Sequence, residues 1–284
     1  MNVGILANPH KPGSLPTLRA LRETLARHGI GSVLESDTAR LAGESDGLSG
    51  EAFCDAIDLA AVIGGDGTML HALSKLGGFG KPVAGINIGT LGFLTSCTDD
   101  ELAEFASALA DGRYETSQRS LLSATVSTTR GNQRSFLALN EVTLARGETG
   151  RLVSLRAKVN DEHLNDYRAD GLIVATPTGS TAYSLSAGGP LVSPHAEVLL
   201  ITPICPHSLS QRALVIADNY VVELSSEDPD AGAMLFTVDG RDTMRIEAGD
   251  RIEIRKSEHC LHLLRIEGSS FYAALRQKLG WQGV

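Results

Sequence analysis

A chain of 284 residues, 42% hydrophobic and 21% charged with a mean hydropathy near zero, is long enough for two modest domains and too apolar to stay disordered. Its formal charge is −9, with Lys and Arg dispersed, which excludes a protein that grips nucleic acid by neutralising its phosphates. Any anionic ligand must be held locally.

Residues 1–6 lack a basic segment leading into a long apolar one, and no run approaches ~18 apolar residues. The expectation is a cytoplasmic protein that binds neither membrane nor nucleic acid. Cys54, Cys97, Cys205 and Cys260 stand far apart without a CxxC pair and read as reduced, buried thiols.

In chain order, residues 3–6 predict a strand, and the spacing of Leu18, Leu21 and Leu25 predicts a helix with Ser14 as its N-cap and Gly29 as its left-handed stop. Residues 39–50, rich in Gly, Ser, Asp and Glu, predict a solvated, mobile loop with the character of a lid. A buried strand over 58–63 breaks at glycines and leads into a helix over 68–76; a further strand covers 83–88, ending at Gly89. Residues 99–110 fit a helix with acids in its first turn, where they complement the helix dipole. This βαβ rhythm predicts an α/β domain over residues 1–98.

From residue 121 to 266 the pattern changes to short alternating runs, such as 152–159, and predicts a β-rich domain over 99–266. Helical spacing returns at Phe271, Leu275 and Leu279, so residues 267–284 form a helical tail that packs back on the first domain. His259, Cys260 and His262 are close enough to suggest a metal site, but the alternation in 260–263 reads as a strand.

The strongest chemical signal is Gly64-Gly65-Asp66-Gly67-Thr68, where a parallel strand ends and a helix begins. Ligands of open α/β sheets bind beyond the carboxyl ends of the strands, and glycines let phosphates approach the backbone amides there. An acid in that place repels polyphosphate unless it serves a metal or takes a proton from an attacking hydroxyl, both of which are phosphoryl-transfer roles. The plainer alternative is a tight turn in which Asp66 caps the helix. Neither GxxxxGK[ST] nor a GxGxxG after a strand occurs, so the chain is not a P-loop enzyme or an ordinary dinucleotide dehydrogenase by motif.

A second signal runs from Tyr167-Arg168-Ala169-Asp170-Gly171 through an apolar strand into residues 176–190, which are dense in hydroxyls. Such a loop offers donors to ribose and phosphate, Tyr183 a face for a base, and Arg168 a bidentate grip on phosphate. A Ser/Thr-rich surface turn fits poorly with its apolar flanks. Asn140-Glu141, after an apolar run ending at Leu139, offers an amide and a carboxylate, although such pairs are commonly just turns.

Residues 64–68, Gly85-Ile86-Asn87 with Gly89 and Leu91-Gly92-Phe93-Leu94-Thr95, Asn140-Glu141, residues 168–186 and residues 202–210 together resemble the NAD kinase family. The glycine run alone would equally resemble diacylglycerol and sphingosine kinases; the block 168–186 is what resembles the NAD enzymes. The resemblance implies an N-terminal Rossmann-like α/β domain, a C-terminal β-sandwich-like domain that completes the NAD site, a C-terminal helix returning to the first domain, and a homodimer or homotetramer. It implies ATP as phosphoryl donor, with Mg2+ or Mn2+, and NAD as acceptor at the 2'-hydroxyl of its adenosine ribose. Asp66 is then the proton acceptor, and Gly64, Gly65, Gly67 and Thr68 form the phosphate-donor loop. Asp66, Gly67, His71, Phe93, Asn140, Glu141, Arg151, Arg168, Asp170, Thr178, Thr181, Ala182, Tyr183, Ser184, Leu185 and Ser186 become NAD-binding, with Phe93 near the adenosine and Asp170 a buried acid accepting from the ligand. No metal ligand from the protein is assigned. Many relatives carry Arg where His71 stands, and Gln where Arg241 stands. A lipid kinase with the same glycine core and a non-catalytic NAD(P)-binding sensor are the alternatives.

Overall fold

In the computed structural model, the described residues are 1–76, 80–90, 92–147, 151–228, 234–267 and 269–281, so Leu91 of the block at 91–95 lies outside them. The chain forms two compact units, Met1–Gln118 together with the stretch from Leu261, and Arg119–Cys260.

The first unit is α/β. Its elements are β1 (Asn2–Ala7), α1 (Ser14–Arg27), β2 (Gly31–Leu34), α2 (Ser36–Ala42), α3 (Gly50–Ala56), β3 (Leu59–Ile63), α4 (Asp66–Leu76), β4 (Pro82–Asn87), β5 (Cys97–Thr98) and α5 (Leu102–Ala110). The strands pair in parallel in the order β2-β1-β3-β4, with Val3 beside Leu59 and Val62 beside Gly85. β4 also pairs with β5, and with the end of a long strand, β17 (Arg251–Ile266), at His262 and Leu263. Every residue of β3 is buried, the pattern of a parallel strand covered on both faces. From α1, Leu18, Leu21 and Leu25 enter a core built on Val3, Ile5, Ala61, Ile86 and Phe105. Fully burying one such leucine contributes about 1.5–3 kcal/mol.

The structure corrects several local expectations. The cap of α1 is Gly13 at φ 88°, and Ser14 is the first helical residue, its hydroxyl buried without a hydrogen-bond partner. Gly29 does take the left-handed conformation at φ 70°, its N–H donating to the Ala26 carbonyl. The loop expected over 39–50 is present but shorter, residues 43–49, because α2 runs on to Ala42 and α3 starts at Gly50. Glu35 caps α2 by accepting from Asp37 and Thr38 amides, and Lys75 of α4 donates to Glu35 at 2.7 Å and also to Asp37. Helix α4 begins two residues earlier than expected, at Asp66, and α5 three later, at Leu102. Of the four thiols only Cys97 is buried; Cys205 is exposed.

The second unit is β-rich, as expected. It adds β6 (Tyr114–Ser127), β7 (Gln133–Ala138), β8 (Glu141–Arg146), β9 (Val153–Val159), β10 (Glu162–Ala169), β11 (Gly171–Ala175), a four-residue α6 (Tyr183–Ser186), β12 (Val198–Ile204), β13 (Leu214–Ala217), β14 (Val222–Ser225), β15 (Met234–Val238) and β16 (Asp242–Ile246). Six strands form an antiparallel sheet in the order β13-β12-β11-β8-β15-β16. A second layer holds β10-β9-β14-β17 and the β6–β7 hairpin. Leu144, Val174, Ile201 and Phe236 from the first layer and Leu122, Leu155, Leu224 and Ile254 from the second share one core, the arrangement of a sandwich. His259, Cys260 and His262 stand on β17, in accord with the strand reading. The tail forms α7 (Phe271–Leu279) and belongs to the first unit, where the Phe271 ring lies 6.0 Å from that of Phe93.

Candidate active site

In the first unit, the sequence break at Gly64 turns the chain from the carboxyl end of β3 into α4, and the Thr68 and Met69 amides close onto the Gly65 carbonyl. Asp66 therefore sits at the first helical position, half-buried, above the strand ends. Its carboxylate is held from the opposite side: Oδ1 accepts from the Leu94 amide at 3.0 Å and Oδ2 from the Phe93 amide at 3.2 Å. A Cβ at Gly92 would lie 3.0 Å from Asp66 Cγ and closer still to Oδ1, so only glycine lets this stretch of backbone reach the carboxylate. The block 92–95 is thereby explained as the holder of Asp66. Thr95 completes it, accepting from the Gly92 amide at 2.7 Å.

Gly67 and His71 are exposed, one helical turn apart, and Phe93 is half-buried. Sequence reasoning missed two further residues, Asn8 and Lys11. Asn8, in the loop after β1, donates to Thr68 Oγ1 at 3.4 Å, and the Lys11 ammonium donates to Asn87 Oδ1 at 3.0 Å. A Cβ on Gly65 would lie 3.7 Å from that ammonium and 3.5 Å from Asn87 Oδ1, so both groups border the turn. The signal was available: Asn8-Pro9-His10-Lys11 follows a parallel strand on the edge where ligands bind.

In the second unit, Asn140-Glu141 is a built turn. Asp239, at φ 48°, accepts the Leu139, Asn140 and Glu141 amides at 2.9, 2.8 and 3.0 Å, and its own amide returns to the Glu141 carbonyl. Thr176 braces the same turn, its hydroxyl donating to the Leu139 carbonyl at 2.6 Å and its amide to the Asn140 carbonyl at 2.8 Å. Glu141 is buried and one of its carboxylate oxygens has no hydrogen-bond partner. Burial first, then the Asp239 carboxylate, pushes the Glu141 carboxyl up to about 8, against the pull of the Tyr183 backbone amide. Burial also raises Asp239, opposed by the three amides it accepts.

Several hydroxyls of the block are bonded within the protein. Thr181 bonds the Thr178 carbonyl, Ser180 the Pro177 carbonyl and Val192 backbone, and buried Ser184 the Thr202 hydroxyl at 2.9 Å. These hydroxyls build the loop. Thr178 Oγ1 is buried without a partner; Thr181, Ala182 and Leu185 are half-buried; Tyr183 and Ser186 are exposed. Arg168 is an exposed residue of β10 between buried Tyr167 and Ala169, and Arg151 is exposed just before β9. Asp170, expected as a buried acid, is partly exposed and pairs with Arg146 Nε at 3.1 Å. The cause is strand pairing, which sets Arg146 of β8 beside the end of β11. Among the described residues no group of three or more His, Cys, Asp or Glu is arranged to hold a metal ion.

An α/β unit whose strand-end glycine turn fixes a carboxylate, followed by a β-rich unit, defines a phosphotransferase of the kinase class. Residues 3–114 match the ATP-NAD kinase N-terminal domain and residues 139–266 the ATP-NAD kinase C-terminal domain. The chain is 39% identical to an NAD kinase of Geobacter metallireducens over 98% of each chain, and 38% identical to one of Caldanaerobacter subterraneus over the same shares. It resembles a crystal structure of yeast NADH kinase complexed with NADH, with TM-score 0.88 at 25% identity over all of this chain and 88% of that one. An Archaeoglobus fulgidus NAD kinase in complex with ATP shares the fold, with TM-score 0.78 at 24% identity over the full length of both. The chain belongs to the NAD kinase family. No observation favours a lipid acceptor.

Proposed function

We propose that this protein transfers the γ-phosphoryl group of ATP to the 2'-hydroxyl of the adenosine ribose of NAD, giving NADP and ADP. The observation that carries this reading is the Asp66 carboxylate, fixed by the Phe93 and Leu94 amides within a glycine turn at the carboxyl end of β3. The 2'-oxygen forms the new bond to γ-phosphorus, the bond to the β,γ-bridging oxygen breaks, and Asp66 takes the hydroxyl proton. An acid already oriented by two amides needs no reorganisation at that moment.

Gly64, Gly65, Gly67 and Thr68 are assigned to the donor phosphates, since the amino end of an eleven-residue helix favours anions. Asp66, Gly67, His71, Phe93, Asn140, Glu141, Arg151, Arg168, Asp170, Thr178 and residues 181–186 are assigned to NAD. Within that set, the unpartnered oxygen of Glu141 and the unpartnered hydroxyl of Thr178 are the groups with bonding capacity left to offer. The donor set fits Mg2+ or Mn2+ held chiefly by the triphosphate: one carboxylate with spare lone pairs, Asp66, suits a hard cation that needs one or two carboxylates besides phosphate oxygens. That ion would neutralise charge on the phosphates.

The assembly proposed is a homodimer or homotetramer. Its support is the edge strand β13, which exposes Leu214 and Val215 beside Leu209, itself 86% exposed, and such an edge calls for cover. Four cysteines that form no disulfide suit a reducing compartment, and the cytoplasm is the proposed location. No described helix is long and apolar enough to cross a membrane. The reading is tested by incubating purified protein with ATP, Mg2+ and NAD, NADH or diacylglycerol, and assaying NADP, NADPH, phospholipid and ADP. NADP formation matched by ADP is the expected result; ADP release with lipid alone, or nucleotide binding without turnover, overturns it.

A further inference from the structure

The loop between β1 and α1 places a cation beside the glycine turn. Lys11 is half-buried beside the glycine turn, its ammonium 3.0 Å from Asn87 Oδ1, and among the described residues no carboxylate lies within ion-pair distance of it. Holding a long charged side chain in place costs rotamer entropy, and a single neutral acceptor returns little of that. The placement is nonetheless specified at both ends. The loop is fixed by its own hydrogen bonds: Asn8 accepts the His10 amide at 2.9 Å and the Lys11 amide at 3.2 Å, and reaches Thr68 of the turn. Asn87 is 7% exposed, and its amide nitrogen donates to the Thr90 carbonyl, so its oxygen is the atom turned toward Lys11. Gly65 leaves the space next to the ammonium without a side chain, 3.7 Å from where a Cβ would stand. An ammonium has three donors, and Asn87 uses one.

We propose that Lys11 binds the phosphates of the nucleotide donor, its ammonium supplying from the β1–α1 loop the positive charge that the glycine turn, lacking a P-loop lysine, does not carry. Asn87 is its positioning residue. This inference rests on the reading of the turn as a donor-phosphate site. The charge comes from a segment about fifty residues upstream of the turn, outside the glycine motif itself.

Lys11→Met keeps the apolar stem and removes the charge. Loss of a charge-assisted contact to phosphate raises the KM for ATP roughly 10- to 100-fold. The KM for NAD stays within about twofold and the melting temperature is unchanged, because the lost group meets only the donor. Lys11→Arg restores most of the ATP affinity, and the salt dependence of ATP binding, measured calorimetrically, is flatter in Lys11→Met than in the unaltered protein. An unchanged KM for ATP in a folded Lys11→Met protein overturns the proposal, as does an equal rise in both KM values. If Lys11→Met and Lys11→Gln both fail to fold, Lys11 is a structural tether and the proposal is wrong. Failure of the functional reading is read separately: the unaltered protein then makes no NADP from ATP and NAD, whatever the variants do.

Discussion

The glycine turn at residues 64–68 and the hydroxyl-rich block at 176–190 are the two densest motifs of the chain, and they use their residues in opposite ways. In the turn, backbone serves side chain: amides of Phe93 and Leu94 hold one carboxylate in place. In the block, side chains serve backbone: Thr176, Ser180 and Thr181 spend their hydroxyls on carbonyls, and Ser184 spends its hydroxyl on Thr202. Motif density therefore fixes one side chain in the first region and builds a backbone loop in the second. Glu141 shows the scaffold's purpose, a buried carboxyl with bonding capacity left over.

The sharpest way to break the comparison is Asp66→Asn, which keeps the shape and removes the proton acceptor. The kcat is expected to fall roughly 10²- to 10⁴-fold, the range of general-base catalysis, with NAD affinity by calorimetry changed little. A variant with normal kcat ends the assignment of Asp66 as base. Next is Gly92→Ala, whose methyl group must displace the Asp66 carboxylate or the backbone that holds it. A shift of about 1 Å in an attacking or accepting group costs on the order of 100-fold in kcat. A crystal structure of the variant with Asp66 unmoved and activity retained would show that the holder is dispensable.

How much of this was visible beforehand follows the range of the interactions. Strands β1, β3 and β4 and the helix after Gly65 were legible because a buried parallel strand is a continuous apolar run and its break is a local glycine signal. Helix α2 was not, because part of what stabilises it is Lys75, forty residues further on. The Thr176 hydroxyl meets a carbonyl 37 residues away, and Asp170 meets Arg146 across a sheet, so their density and acidity read as ligand chemistry when seen along the chain alone. Asp66 was found by its unusual place among glycines. Lys11 and Asp239 were overlooked as site residues because each acts on a turn far from it in sequence.

Between the two regions stands a pH test on Glu141. Its carboxyl binds a proton up to about 8 in the folded protein, against 4.5 as the ordinary value. The native state therefore holds more protons than the unfolded chain across that interval, and stability falls as pH rises from 4.5 to about 8. The loss is on the order of a few kcal/mol. Glu141→Gln, neutral at every pH, flattens the dependence of urea-unfolding stability over this interval. An unaltered slope would mean that the buried carboxyl is not protonated as its surroundings require.

The smallest effect expected is also the cleanest test of scaffolding. Thr176→Val is nearly isosteric and fully buried, and it removes both the donor to the Leu139 carbonyl and the acceptor for the Gly179 amide. Leaving those two backbone groups unsatisfied costs about 1–3 kcal/mol. Each kcal/mol lost lowers the melting temperature by about 2–4 °C in a protein of this size class. If Thr176 only builds the turn, kcat at saturating substrate stays within about twofold while the KM for NAD rises as the 139–141 turn loosens. A fall in kcat with melting unchanged would place this hydroxyl among the reacting groups instead, and the division between a region that performs chemistry and one that shapes its partner would dissolve.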